Sequence, residues 1–119
     1  MRFKNRIALV TGAESGIGNK IVKQLIREGC KVVATNFTKK KLPNKKNLEY
    51  YNLDVTDENQ WKNLQKYLNK KYNKINILVN SAGIRISGTL EKTSLQLWNH
   101  VINTNTTSIF LGCKYMLPL

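Results

Sequence analysis

Thr11-Gly-Ala-Glu-Ser-Gly-Ile-Gly18 follows the short apolar run Ile7-Ala-Leu-Val10 and leads into residues with helical spacing. Its three glycines stand where a buried strand turns into an amphipathic helix. Gly12 permits a sharp turn off the strand. Gly16 and Gly18 lack the side chains that would hold a pyrophosphate off the backbone and the helix off the sheet. The helix opening here aims its unpaired N–H groups and positive dipole end at the same spot. Glycines of this kind are common in loops. With a strand before and a helix after, they make a dinucleotide-site motif.

Working outward, strand and helix alternate. Ile17, Ile21 and Leu25, with Val22 and Ile26 beside them, predict a helix over 15–28, closed by Gly29. Strands are predicted at 6–10, 31–35, 48–53 and 75–79. A helix follows Asp57 and Gln60, which have capping-box spacing, and its stripe is Trp61, Leu64 and Leu68. Thr93 and Gln96 have the same spacing and predict a helix through Trp98, Val101 and Ile102, continuing past Ile109 to Met116. Strands apolar on both faces and separated by helices imply an α/β fold, a parallel sheet covered on both sides and doubly wound through right-handed crossovers. Residues 37–47, with five lysines and a proline, are expected to be a loop where a crossover helix would usually stand. No repeat or linker interrupts the 119 residues, which read as one domain.

The formal net charge is +13, yet lysines outnumber arginines sixteen to four and spread over predicted helix surfaces. Abundant asparagine accompanies them. A solvated lysine-rich surface explains this better than a groove for nucleic acid, so no specific nucleic-acid partner is expected. Cys30 and Cys113 have no metal-ligand spacing; no metal site is expected, and both should be buried, reduced thiols of a cytoplasmic protein. Thr11-Gly12 cuts off the apolar run of the first ten residues, so neither a signal peptide nor a membrane span is predicted there.

In order and spacing, four markers resemble the N-terminal half of a short-chain dehydrogenase/reductase: the glycine segment 11–18, Leu53-Asp-Val55, Asn80-Ser-Ala-Gly83, and Trp98 with Val101-Ile-Asn-Thr-Asn105. The likeness runs from about residue 3 to the last residue. It implies a Rossmann-type sheet in strand order 3-2-1-4 with the C-terminal half of the domain outside these residues. It implies NAD(P)-dependent hydride transfer between nicotinamide and a carbonyl or secondary alcohol. A 3-oxoacyl-carrier-protein-reductase-like or sugar/polyol-dehydrogenase-like role fits, and a homo-oligomer is expected. The alternative is a non-catalytic nucleotide-binding half-domain.

Residue by residue, the resemblance assigns cofactor contacts to Thr11, Gly12, Ser15, Gly16, Ile17, Gly18, Asn36, Asp54, Val55, Asn80, Ala82 and Gly83. Asp54 matches an aspartate that accepts from the adenine amino group; without the likeness it reads as a turn aspartate. Small residues at 81–83 let a ribose rest against the backbone, and Asn80 can instead brace neighbouring strands. Asn105 matches the catalytic asparagine whose main chain holds a water in a relay to a lysine. The family's Tyr-x-x-x-Lys pair, in which the ammonium stabilises the phenolate, is expected after a fifth strand, so the 119 residues are catalytically incomplete as given. Tyr67-Leu-Asn-Lys-Lys71 fits that pattern but lies on the wrong helix. His100 has no carboxylate placed to orient it.

Cofactor choice turns on the end of strand two. An acid there binds the ribose 2′-hydroxyl of NAD and repels a 2′-phosphate. Here the residue is neutral Asn36, followed by Lys39 and Lys40, which suggests a modest lean to NADP(H). The absence of an arginine at Ser15 weighs the other way, and Glu14 adds nothing favourable to a phosphate either.

Overall fold

The sheet follows from the apolar runs. In the computed structural model, which describes residues 1–14, 16–38 and 42–119, β1 (Ile7–Val10), β2 (Lys31–Asn36), β3 (Leu48–Asn52) and β4 (Ile77–Val79) pair in parallel in the order β3-β2-β1-β4. Val10 lies opposite Ala34 and Val79, so the strand ends that carry the glycine turn and residues 36 and 80 sit along one sheet edge. Alternation splits the side chains between two faces. Ala8, Val10, Val32 and Ala34 pack against Val22 and Leu25 of α1 (Gly16–Arg27). Leu9 and Val33 point the other way, onto Trp61, Leu64 and Leu68 of α2 (Glu58–Tyr72) and Leu111, Tyr115 and Met116 of α4 (Ser108–Met116).

Local chemistry sets most boundaries. Asp57 caps α2, accepting from the Asn59 and Gln60 amides at 2.9 and 3.2 Å. Gln60 reaches back as expected, but its oxygen takes the Asp54 N–H at 2.7 Å and its nitrogen the Asp57 carboxylate. The next helix, α3 (Leu95–Ile102), is capped by Ser94, whose hydroxyl accepts from Leu97 N–H at 3.0 Å, and not by Thr93, which instead bonds back to the Thr89 carbonyl. Strand β4 is shorter than its apolar run because Asn76 turns its amide to the ladder's start. Its Oδ1 accepts from Ile7 N–H, and its own N–H donates to the Ile7 carbonyl.

The long last helix is continuous but not uniform. Between α3 and α4, Asn103–Thr107 forms a π-helical turn. Thr104 and Ser108 bond their hydroxyls back to the carbonyls four residues earlier, the competition that loosens helices rich in Ser, Thr and Asn. None of α3 is buried. The described part of 37–47 forms no helix, which leaves Leu48 and Tyr50 half-buried on the α1 face. Cys30 is buried as expected; Cys113 is exposed, contrary to expectation, because it lies on the side of α4 turned from the core. Among the described residues no helix is long and apolar enough to cross a membrane, and no group of His, Cys, Asp or Glu could hold a metal ion.

Candidate functional site

A cavity of about 710 Å³ opens at the C-terminal edge of the sheet. Its floor is the turn between β1 and α1. Gly12 and Gly16 both adopt left-handed backbone, at φ +60° and +59°. A side chain on Gly12 would strike Ala82; one on Gly16 would meet nothing and stand in the open space beside the turn. Gly18 serves a different end. A Cβ there would come within 2.3 Å of the Gly12 carbonyl oxygen, so its absence lets α1 pack onto the turn. Among described residues, then, the first-motif glycines divide into two at the cavity turn and one that packs the helix.

The expected residues are mostly assembled here. Gly12, Gly16, Ile17, Gly18, Asn36, Asp54, Val55, Ala82 and Gly83 all line the cavity. Ser15 lies outside the described residues, as do Lys39 and Lys40. Thr11 and Asn80 do not reach the cavity. Thr11 is buried, and its hydroxyl accepts the N–H groups of Ser81 and Ala82 at 3.1 Å, fixing the 80–83 segment against β1. Asn80 turns to α4, where its amide lies against Gly112 and reaches Cys113 Sγ at 3.8 Å.

Two polar side chains bear on what the cavity can hold. Asn36 is 97 % buried with neither its amide oxygen nor its nitrogen partnered among described residues. A buried amide left unpaired costs free energy, and Asn36 is among the residues that line the cavity. Asp54 uses one carboxylate oxygen for an Asx turn, accepting from Thr56 N–H at 2.9 Å and Thr56 Oγ1 at 2.6 Å. The turn reading of Asp54 is thus correct for one oxygen, while the residue still lines the cavity.

Asn105 does not line the cavity but holds one of its walls. Its Oδ1 accepts from Ile84 N–H, and its Nδ2 donates to the Ile84 carbonyl, both at 2.8 Å. It sits in the π-helical turn, where the widened backbone aims the amide across at the 83–84 segment. His100 and Thr104, on the same helical run, lie at the cavity rim, and among described residues no carboxylate partners His100.

The Tyr67/Lys71 pair sits in another place and another environment. Glu49 of β3 accepts from Tyr67 Oη, from Lys71 Nζ at 2.7 Å and from Tyr72 Oη at 2.5 Å. Burial and the Glu49 carboxylate push the Tyr67 phenol above its ordinary value. A tyrosine base needs the opposite shift, so this trio is an ion-pair cluster of the sheet edge.

Glu14, which the sequence marks only as adding nothing favourable to a phosphate, gains partners in the fold. Its carboxylate accepts from Phe37 N–H at 2.6 Å and from Thr38 N–H at 3.3 Å, which places it against the end of β2. The signal was positional: in a doubly wound sheet the β1–α1 turn faces the end of the neighbouring strand. Thr35, Phe37, Thr56 and Ile84 line the cavity too, for the same reason of standing at strand ends.

Comparison with known proteins agrees with this geometry. Residues 6–119 match the short chain dehydrogenase family. A 3-oxoacyl-(acyl-carrier-protein) reductase of Thermotoga maritima is 33 % identical over 128 residues, covering 99 % of this chain and 51 % of the relative. A 3-beta-hydroxysteroid dehydrogenase of Comamonas testosteroni is 31 % identical, over 95 % of this chain and 46 % of its own length. The ligand-free structure of Thermoplasma acidophilum aldohexose dehydrogenase superposes with a TM-score of 0.88 at 30 % identity, covering 98 % of this chain and 44 % of that one. The chain spans about half the length of the curated relatives it matches. On its sequence and its fold alike, the chain belongs to the short chain dehydrogenase family.

Proposed function

We propose that this protein is an NAD(P)-dependent oxidoreductase acting on a carbonyl or secondary alcohol, and that residues 1–119 form its single cofactor-binding domain, incomplete by itself. The observation that carries the reading is the cavity at the sheet edge. A left-handed glycine turn at a helix N-terminus lies on one side of it, and the unpartnered Asn36 amide on the other. These features fit a dinucleotide: backbone amides for the pyrophosphate and a donor–acceptor pair for ribose hydroxyls. Bound there, the cofactor would supply hydride exchange at its nicotinamide ring.

Gly12, Gly16 and Ile17 bring backbone close to the pyrophosphate, with Ser15 assigned there by the family motif, and Gly18 lines the cavity while letting α1 pack onto the turn. Asp54 and Val55 bound the adenine end, with one aspartate oxygen held by Thr56. Ala82 and Gly83 leave room for the nicotinamide ribose. Thr11 and Asn80 act as positioning residues; the Asn105 side chain holds Ile84, and its main chain takes the catalytic water-relay role that the family motif assigns. The names of the relatives favour either a 3-oxoacyl thioester or a sugar or polyol as substrate. A small-molecule substrate, a homo-oligomer and a cytoplasmic setting complete the reading, in which the lysine-rich surface is solvated rather than bound to nucleic acid. The neutral Asn36 would admit NADP(H), while Lys39 and Lys40, on which that lean also depends, lie outside the described residues.

The test is a titration of the protein containing this chain with NADH and NADPH, followed by nicotinamide fluorescence. Saturable binding of at least one cofactor is expected. Gly16→Val should weaken it by more than about tenfold, because the new side chain enters the open space beside the turn; its strained φ makes a melting curve a necessary companion. Unchanged affinity in a folded Gly16→Val protein would refute the reading.

A further inference from the structure

Glu14 stands between the glycine turn and the end of β2. One carboxylate oxygen accepts from two successive amides, Phe37 N–H at 2.6 Å and Thr38 N–H at 3.3 Å; the other lies 3.4 Å from Thr38 Oγ1. Consecutive N–H groups and a hydroxyl converging on one point make an anion nest. Here the chain's own carboxylate fills it. Glu14 and Asn36 line the same cavity, and the Asn36 amide is buried with both polar atoms unpartnered among described residues. Asn36 is neutral, so the Glu14 carboxylate is the charged group at this strand end among the described residues lining the cavity with it.

We infer that Glu14 decides cofactor choice in this cavity, admitting the 2′-hydroxyl of NAD(H) and opposing the 2′-phosphate of NADP(H). The inference rests on the proposed reading that the adenosine half of a dinucleotide lies against the end of β2. Two effects act in one direction. A phosphate dianion at that strand end meets the Glu14 charge, and among the described residues the Phe37 and Thr38 N–H groups are already taken. A ribose hydroxyl meets neither obstacle: it carries no charge, and it can donate a hydrogen bond to the Glu14 carboxylate. The acid missing from the end of β2 is thus supplied from the β1–α1 turn. Asn36 alone leans to NADP(H); with Glu14 in place the lean reverses.

The experiment titrates the wild-type protein, Glu14→Gln and Glu14→Asp with NADH and with NADPH at low and high salt. The wild type should bind NADH the tighter. Glu14→Gln should shift the NADH-to-NADPH affinity ratio toward NADPH by about tenfold, the scale of one charge-assisted contact at a partly solvated rim. Glu14→Asp, which keeps the charge, should retain an NADH preference, and added salt should shrink the difference between wild type and Glu14→Gln. Melting curves of the ligand-free variants confirm that the turn is intact. An NADPH preference in the wild type, or a ratio that Glu14→Gln leaves unmoved, overturns the assignment while the cavity reading stands. Failure of the wild type to bind either cofactor overturns the cavity reading and this assignment together.

Discussion

Asn105 and Ile84 meet through both backbone groups of one residue and both polar atoms of another. Nothing in the letter Asn conveys that, and without the family likeness the residue reads as a helix-surface amide. Asn105→Leu should destabilise the protein by about 1–3 kcal/mol, because the Ile84 N–H and C=O are both left without their partner. Asn105→Asp keeps the acceptor for the amide and should cost less. Melting curves rank the two variants, and amide exchange at Ile84 supplies a local readout; protection there unchanged in Asn105→Leu would show that the bonds do not hold the segment. Asn36 and Asp54 were legible as strand-end residues from position alone. The Asx turn of Asp54, local to Thr56, was legible too; the burial of Asn36 was not, since it depends on neighbours that only the folded chain supplies. The charge of Glu14 was legible but its partners were not: they are Phe37 and Thr38, more than twenty residues away.

Among elements, β3 and α2 are joined by the Glu49 cluster. Burial pushes the Glu49 carboxyl upward, but hydrogen bonds from Lys71, Tyr67 and Tyr72 outweigh it and leave the group below its ordinary range. A lowered folded value means that this stability is present above about pH 4.5 and is lost as pH falls through the folded value. At the other end, burial and the Glu49 hydrogen bond push Tyr72 up to about 12. Its contribution is present below the ordinary phenol range and fades as pH climbs through that raised value. Glu49→Gln should therefore lower stability by about 1–2 kcal/mol at neutral pH, as expected for hydrogen bonds to a partly buried charge, and by less near pH 3, where the carboxylate begins to be protonated. Urea melts at the two pH values measure the difference; equal losses at both would mean that packing, not charge, is at work. Helices α1 and α2 were legible because their stripes and caps are local. The π-helical turn was not, because its register depends on side-chain bonds from Thr104 and Ser108 back to the preceding turn.

At the scale of the whole molecule, the sheet has a polar-clad edge at β3 and a bare one at β4, which pairs only with β1 among the described strands. The last helical run also exposes Trp98, Ile109 and Phe110. A polypeptide of these 119 residues alone should self-associate or melt broadly, since an open apolar strand edge recruits further strands. Sedimentation at increasing concentration tests this; a sharp melt from a monomer at all concentrations would contradict it. The longer relatives, of which the chain spans about half, are the natural setting for that surface.

The sequence by itself determined the fold class, the four strands, their parallel order by family likeness, and nine of the residues around the cavity. Hydrophobic period, glycine placement and capping are local signals, written within a few residues of the element they specify. Tertiary structure alone decided that Thr11 and Asn80 brace the sheet edge instead of lining the cavity, that Tyr67 and Lys71 serve Glu49, and that a carboxylate reaches the end of β2 from another loop. Each of these turns on the direction of a side chain across the sheet. That direction is set by contacts between residues far apart in the chain, and no local pattern carries it.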